Sequence, residues 1–134
     1  MESRFFDISV IDNTSPGFYA LMGPYFGSRA VAKELGGSIW DDAGKVWVVA
    51  IKDSRCIGFC AYVVNKTHIQ FCSDYVSREV RQRGVYAVLF SERLSLTTGI
   101  CRAMVTEKSH GTFYRNGFEM VRTKGRYMHM ELLR

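Results

Sequence analysis

Short alternating runs of apolar and polar residues account for most of this chain, and helical spacing takes over where the alternation stops. Phe6, Ile8 and Val10 alternate with Asp7, Ser9 and Ile11, which predicts a first strand over 6–11. The segment 12–17 turns the chain. Ser15 is read as a helix cap, with Pro16 in the first helical position, where a missing N–H costs nothing. That helix is expected to stop near Met22, because Gly23-Pro24 interrupts it. Ser28 caps a second helix through Ala30, Val31, Ala32 and Leu35, closed by Gly36-Gly37. The aromatic residues Phe18, Tyr19, Tyr25, Phe26 and Trp40 gather around these helices as core, and Asp41-Asp42 reads as a solvated turn. Val46 to Lys52 and Ile57 to Val64 form a hairpin through Asp53-Ser54-Arg55. In the strand His68 to Val76, Ile69, Phe71, Ser73 and Tyr75 alternate with His68, Gln70, Cys72 and Asp74. A helix from Gly84 carries Val85, Val88, Leu89 and Leu96 on roughly one face and ends at Thr97-Thr98-Gly99. Ile100 to Thr106 is another strand. Ser109 caps a short helix through Phe113 and Tyr114 that Gly117-Phe118 ends, and 120–123 with 127–133 make a closing hairpin.

The stretch from Tyr75 to Leu96 joins a strand end, a polar turn with Arg78, Arg81 and Arg83, and a helix start at Gly84. The first N–H groups of a helix have no intrahelical partner, and the helix dipole adds partial positive charge there. Gly84 lets a ligand come close to the backbone, and the arginines contribute full charge. A phosphate or pyrophosphate is the natural guest. The turn has one glycine and no Gly-Lys-[Ser/Thr], so it is neither a Walker A nor a dinucleotide-binding turn.

Val76, Arg81-x-x-Gly84-x-Tyr86-Ala87 and Leu89 resemble the acetyl-CoA-binding motif of the GNAT N-acetyltransferases, in which an [Arg/Gln]-x-x-Gly-x-[Gly/Ala] turn cradles a pyrophosphate. Tyr86 stands where that family usually has Gly or Ala. A second segment, Phe113-Tyr114-Arg115-Asn116-Gly117-Phe118, is similar to the family's Phe-Tyr-x-x-x-Gly-Phe shortened by one residue. The element order resembles the family over almost the full length. The resemblance implies one α+β domain over 1–134, with a mixed, mostly antiparallel twisted sheet of about seven strands, splayed at its centre and flanked by about four helices. It implies direct acetyl transfer from acetyl-CoA, as cosubstrate, to an amine on a small molecule or a protein. The pantetheine arm would bond backbone groups of Asp74, Tyr75 and Val76, and the pyrophosphate would sit on Arg81, Gln82, Arg83, Gly84, Val85, Tyr86 and Ala87. Tyr25 and Phe26 fall on the acceptor side as substrate-wall candidates.

Acetyl transfer from a thioester to an amine needs a neutral amine, a polarised carbonyl and a proton for the departing thiolate. The family's acid is a Tyr four residues before the Gly, but here Phe113 holds that place and Tyr114 follows it. Either the helix is one residue shorter and Tyr114 supplies the phenol, or the acid is missing. We expect Tyr114 rather than His110 in this role. The Asn often found at the preceding strand end is replaced by Thr106 or Glu107, and Gln70, which takes no proton, stands where some relatives carry Glu. Asp74, Glu107 and His110 remain as candidate bases, His110 having a ring with a suitable intrinsic pKa. His68 and His129 lie on strands and read as structural.

Composition narrows the picture only a little. With 47% apolar and 23% charged residues the chain is an ordinary globular one, which excludes disorder. The net charge of +5 fits an anionic partner, coenzyme A or nucleic acid. Arg78, Arg81, Arg83, Arg93, Arg122, Lys124 and Arg126 support a nucleic-acid-directed alternative, but no known nucleic-acid-binding pattern accompanies them. A catalytically lapsed interaction protein on the same fold is the third reading, and a homodimer is left open. Met1 to Asp7 offers no apolar signal segment, and no run is long enough to cross a membrane. Cys56, Cys60, Cys72 and Cys101 form no metal-binding spacing, so they read as reduced thiols of a cytoplasmic protein without a metal.

Overall fold

The structure is a computed structural model that describes residues 4–134; the first three positions of the opening stretch lie outside it. Seven strands, β1 (Asp7–Ile11), β2 (Val46–Lys52), β3 (Arg55–Val64), β4 (Ile69–Val76), β5 (Ile100–Val105), β6 (Glu119–Lys124) and β7 (Tyr127–Leu133), form one sheet in the order β1-β2-β3-β4-β5-β7-β6. Only β4 and β5 run parallel; every other pairing is antiparallel. Helices α1 (Phe18–Phe26) and α2 (Arg29–Leu35) cover one face over a core centred on Trp47, Val49 and Phe59. Helices α3 (Val85–Ser95) and α4 (Glu107–Arg115) cover the other through two clusters, one around Leu89 and Val48, the other around Phe90, Phe113 and Phe118. The mixed, mostly antiparallel α+β sheet expected from the sequence is therefore present.

The β2–β3 hairpin turns on Asp53 and Ser54, both at positive φ, the backbone of a two-residue turn matched to strand twist. Arg55, expected in the turn, is the first residue of β3. Gly58 is required by packing: a Cβ there would stand 3.2 Å from the Tyr75 carbonyl and 3.3 Å from the Val76 side chain. Ser28 caps α2 as expected, its hydroxyl accepting from the Val31 N–H at 3.2 Å.

Several expectations are corrected. Helix α1 does not stop at Met22 but runs through Gly23-Pro24 to Phe26. Its last turn is anchored from outside, Phe26 on Phe18 and Trp47, and Tyr25 by its hydroxyl to the Cys56 carbonyl and Ser77. Tertiary contacts thus offset the hydrogen bond that proline removes. Gly17, in the left-handed region, is the cap of α1, while the Ser15 hydroxyl turns back to accept from the Asp12 N–H. The cap of α4 is Thr106, not Ser109. Tyr19 and Trp40 are exposed rather than core, and Asp41 is no solvated turn residue, because it accepts from Trp47 Nε1 and Asn13 Nδ2. Leu96 is exposed; the inward face of α3 is Val85, Leu89, Phe90 and Arg93.

Arg93 is the largest departure. It belonged to the solvent-facing basic set in the sequence, yet it is fully buried. Its guanidinium donates to both Asp74 oxygens at 2.6 and 2.8 Å and to the Ala61 carbonyl at 3.0 Å. It lies 4.2 Å from the Phe71 ring centroid and 5.0 Å from that of Phe90. Removing one member of such a pair strands the other as an uncompensated buried charge. Arg93→Ala should lower unfolding free energy by about 3 kcal/mol or more, read as a reduced urea midpoint at constant m-value.

Candidate functional site

The parallel pairing of β4 with β5 runs through Ile69–Cys101, Gln70–Arg102 and Phe71–Ala103 and goes no further, although β4 continues to Val76 and β5 to Val105. The cause lies in β4. Between Tyr75 and Cys72 that strand takes three steps while β3 takes two, from Phe59 to Ala61. The extra residue sits at Ser73, whose φ is +57. A bulge of this kind bends a strand and shifts its side-chain alternation by one. Phe71 accordingly packs under α3 and α4, whereas Tyr75 packs under α1 and α2, contrary to the single face their spacing suggests. Residues 72–76 are all half-exposed in the middle of a seven-stranded sheet, so the divergence leaves an open split.

The turn after β4 closes through Val80 N–H to the Ser77 carbonyl, Arg81 N–H to Arg78, and Val88 N–H to Gly84. Among the described residues, none of the N–H groups from Gln82 to Ala87 donates to a protein acceptor. Gln82 at φ +62 and Gly84 at φ +84 curl the backbone, and a Cβ on Gly84 would meet nothing within 4 Å. Glycine is needed there for its conformation, and the space beside it is open. Unpartnered N–H groups at the start of an eleven-residue helix, facing open space, suit an anion such as a pyrophosphate.

The arginines of this turn are already engaged. Arg81 donates to Glu34 Oε2 at 2.6 Å and to the Val76 carbonyl at 2.8 Å, and Arg78 to Glu34 Oε1 at 3.2 Å. Tyr75 also donates to Glu34. The hydrogen bond from Arg81 holds the Glu34 carboxyl below its usual range, so at neutral pH α2 presents a carboxylate to this turn. Arg83 lies 4.1 Å from the Phe5 ring centroid. Glu34 carried no signal in the sequence; only the packing of α2 over β4 brings it here.

Tyr86, unusual for its position in the motif, turns inward and donates its hydroxyl to Asp74. Burial, then the Asp74 charge, pushes its phenol well above the ordinary value, and it stays protonated. Asp74 is therefore committed to Arg93 and Tyr86 and is not free to take a proton from an amine. Phe113, not Tyr114, faces inward. Phe118 N–H reaches the Phe113 carbonyl and Gly117 N–H that of Tyr114, a helix-end motif that locks Phe113 against Phe118 at 5.1 Å between centroids. Tyr114, about 100° further round the helix, is 68% exposed. His110 Nδ1 meets only the Glu107 carbonyl, at 3.2 Å. Gln70 hydrogen-bonds His68. Tyr25 and Phe26 are half-buried members of the Trp47 core, with the Tyr25 hydroxyl already bonded.

No family model and no curated protein matches the sequence. Solved structures do. The chain is similar to Escherichia coli ElaA, with a TM-score of 0.75 at 14% identity over 94% of this chain and 98% of that one. An acyl-CoA N-acyltransferase from Pseudomonas aeruginosa gives 0.72 at 16% over 94% and 98%. A GNAT family acetyltransferase from Elizabethkingia anophelis, solved with acetyl-CoA bound, gives 0.66 at 10% over 98% and 100%. The chain has the GNAT acetyltransferase fold.

Among the described residues no three His, Cys, Asp or Glu side chains gather, and no helix is long and apolar enough to cross a membrane. All four cysteines are free thiols. Burial pushes Cys56 up to about 11 and Cys60 up to about 12. Iodoacetamide at pH 8 should accordingly leave both unmodified in the native protein, as peptide mass spectrometry after a timed pulse would read.

Proposed function

We propose that the chain is an N-acetyltransferase that moves an acetyl group from acetyl-CoA directly to an amine. The observation that carries this reading is the open split between β4 and β5, leading to a helix start whose N–H groups from Gln82 to Ala87 are unpartnered. Acetyl-CoA supplies the acetyl group and a thiol leaving group. Backbone groups of Asp74, Tyr75 and Val76 line the split and are suited to hold an extended amide-bearing arm. The turn from Arg81 to Ala87 suits a pyrophosphate, and Arg81 and Arg78 would exchange Glu34 for phosphate oxygens. With Asp74 engaged by Arg93 and by the Tyr86 hydroxyl, positioning and backbone donors supply most of the chemistry on this side of the split.

A second reading, a GNAT fold that binds the thioester without turning it over, has one observation in its favour: Phe113 occupies the inward place and the Tyr114 phenol faces solvent. The nucleic-acid reading loses part of its support, because Arg93 is buried and Arg78 and Arg81 pair with Glu34.

Calorimetric titration with acetyl-CoA, followed by turnover assays against a panel of amines, tests the proposal. A folded Gly84→Asp variant should bind acetyl-CoA more weakly by about 2 kcal/mol, roughly thirtyfold, because it puts a strained side chain and a like charge against the pyrophosphate. Unchanged affinity would remove the turn from the reading. Glu34→Gln should act in the opposite direction. Freed of an internal competitor, Arg81 and Arg78 should tighten CoA binding about two- to fivefold, the range of an exposed ion pair, and less so at high salt.

A further inference from the structure

Lys45 is a buried cation without an anion. Only 4% of it is exposed, and among the described residues it enters no ion pair. Its Nζ donates to the Trp40 carbonyl at 2.9 Å and to Ser73 Oγ at 2.8 Å, and it lies 4.4 Å from the Trp47 ring centroid. An ammonium that meets only neutral acceptors has no countercharge in hydrogen-bond contact, and its field acts on whatever enters its surroundings. Asp41 accepts from Trp47 and Asn13, Asp74 from Arg93 and Tyr86, and Glu34 from Arg81 and Arg78, and none of the three pairs with Lys45.

Ser73 is the bulge residue itself, at φ +57, a conformation glycine would adopt without strain. A serine kept in that conformation retains a hydroxyl at the place where β4 leaves β5. Because Lys45 donates to its oxygen, the hydroxyl is left as a donor, and no oxygen or nitrogen among the described residues accepts its proton. Ser73 is half-exposed and directly precedes the stretch 74–76 that lines the split.

We propose that Lys45 and Ser73 form a charge-assisted hydrogen-bond donor for an anionic sulfur at the split, the thiolate of coenzyme A; this rests on the acetyl-CoA reading above. Ser73 makes the contact, and Lys45 is a positioning residue that polarises the hydroxyl. Burial raises the Cys72 thiol, and the Lys45 charge is the largest of the effects that oppose it. A leaving thiolate at the split would find no free phenol, since Tyr114 faces out and Tyr86 is held by Asp74.

The test is a pH titration of the thiol of bound CoA by its ultraviolet thiolate absorbance. The same complex with desulfo-CoA is subtracted to remove Cys72 and the tyrosines. Ser73→Gly, which relieves the strained φ and removes the hydroxymethyl group, should still form a CoA complex whose thiol can be titrated. Its bound thiol should titrate about one pH unit or more higher, the size of a charge-assisted bond. Ser73→Ala and Lys45→Met should move it the same way, and kcat for acetyl transfer should fall about tenfold with little change in KM for acetyl-CoA. If Lys45→Met fails to fold, the two Ser73 variants still decide the matter. Tight CoA binding with an unshifted thiol in Ser73→Gly overturns this inference and leaves the acetyl-CoA reading standing. Absence of CoA binding to the wild type overturns both.

Discussion

Beneath the diverging end of β4, a fully buried guanidinium meets a carboxylate that is itself largely withdrawn from water. The desolvation of such a pair costs several kcal/mol per ion, and only close geometry with further hydrogen bonds offsets it. Asp74 and Arg93 meet that condition: two bonds between them, one from Arg93 to the Ala61 carbonyl, and one from the Tyr86 hydroxyl. Burial works against the Arg93 charge, but Asp74 holds the guanidinium pKa above its ordinary value, so Arg93 stays charged. Only Arg93 Nε is left without a partner among the buried side-chain atoms of the described residues, and the rings of Phe71, Phe90 and Phe113 stack around that guanidinium.

This network ties the far half of β4 to α3 and β3. The inward turn of Tyr86 follows from the same network. A small residue at that position would leave Asp74 with one fewer donor in a site where every bond offsets desolvation. The phenol serves the carboxylate, which is why it points inward instead of enlarging the turn.

Charge is spent inside the molecule on the outer side as well. Glu34 on α2 gathers Arg78, Arg81 and Tyr75, and its carboxylate occupies the donors that an incoming phosphate would want. The contact couples the helix pair over the Trp47 core to the turn ahead of α3. A ligand at the turn would therefore be felt by α2 through one side chain.

The order of the elements, the four helices, the β2–β3 hairpin, the cap at Ser28 and the glycine turn ahead of α3 were legible in the sequence, because each depends on local periodicity, capping or turn chemistry. Helix α1 passing Pro24 was not, since distant partners of Tyr25 and Phe26 decided it. The bulge at Ser73 was invisible to an alternation that counts residues and takes the strand as regular, so Phe71 and Tyr75 came out on one face. Arg93 read as a surface cation because its partner lies nineteen positions back on another element. The fate of Phe113 and Tyr114 hung on a single residue of helix length, which the Gly117 end motif resolved against the phenol. Spacing along the chain fixes what lies within a turn or two of each residue; which charges become buried, and which side chains share the split, follows from how the sheet bends and what α3 must pack against.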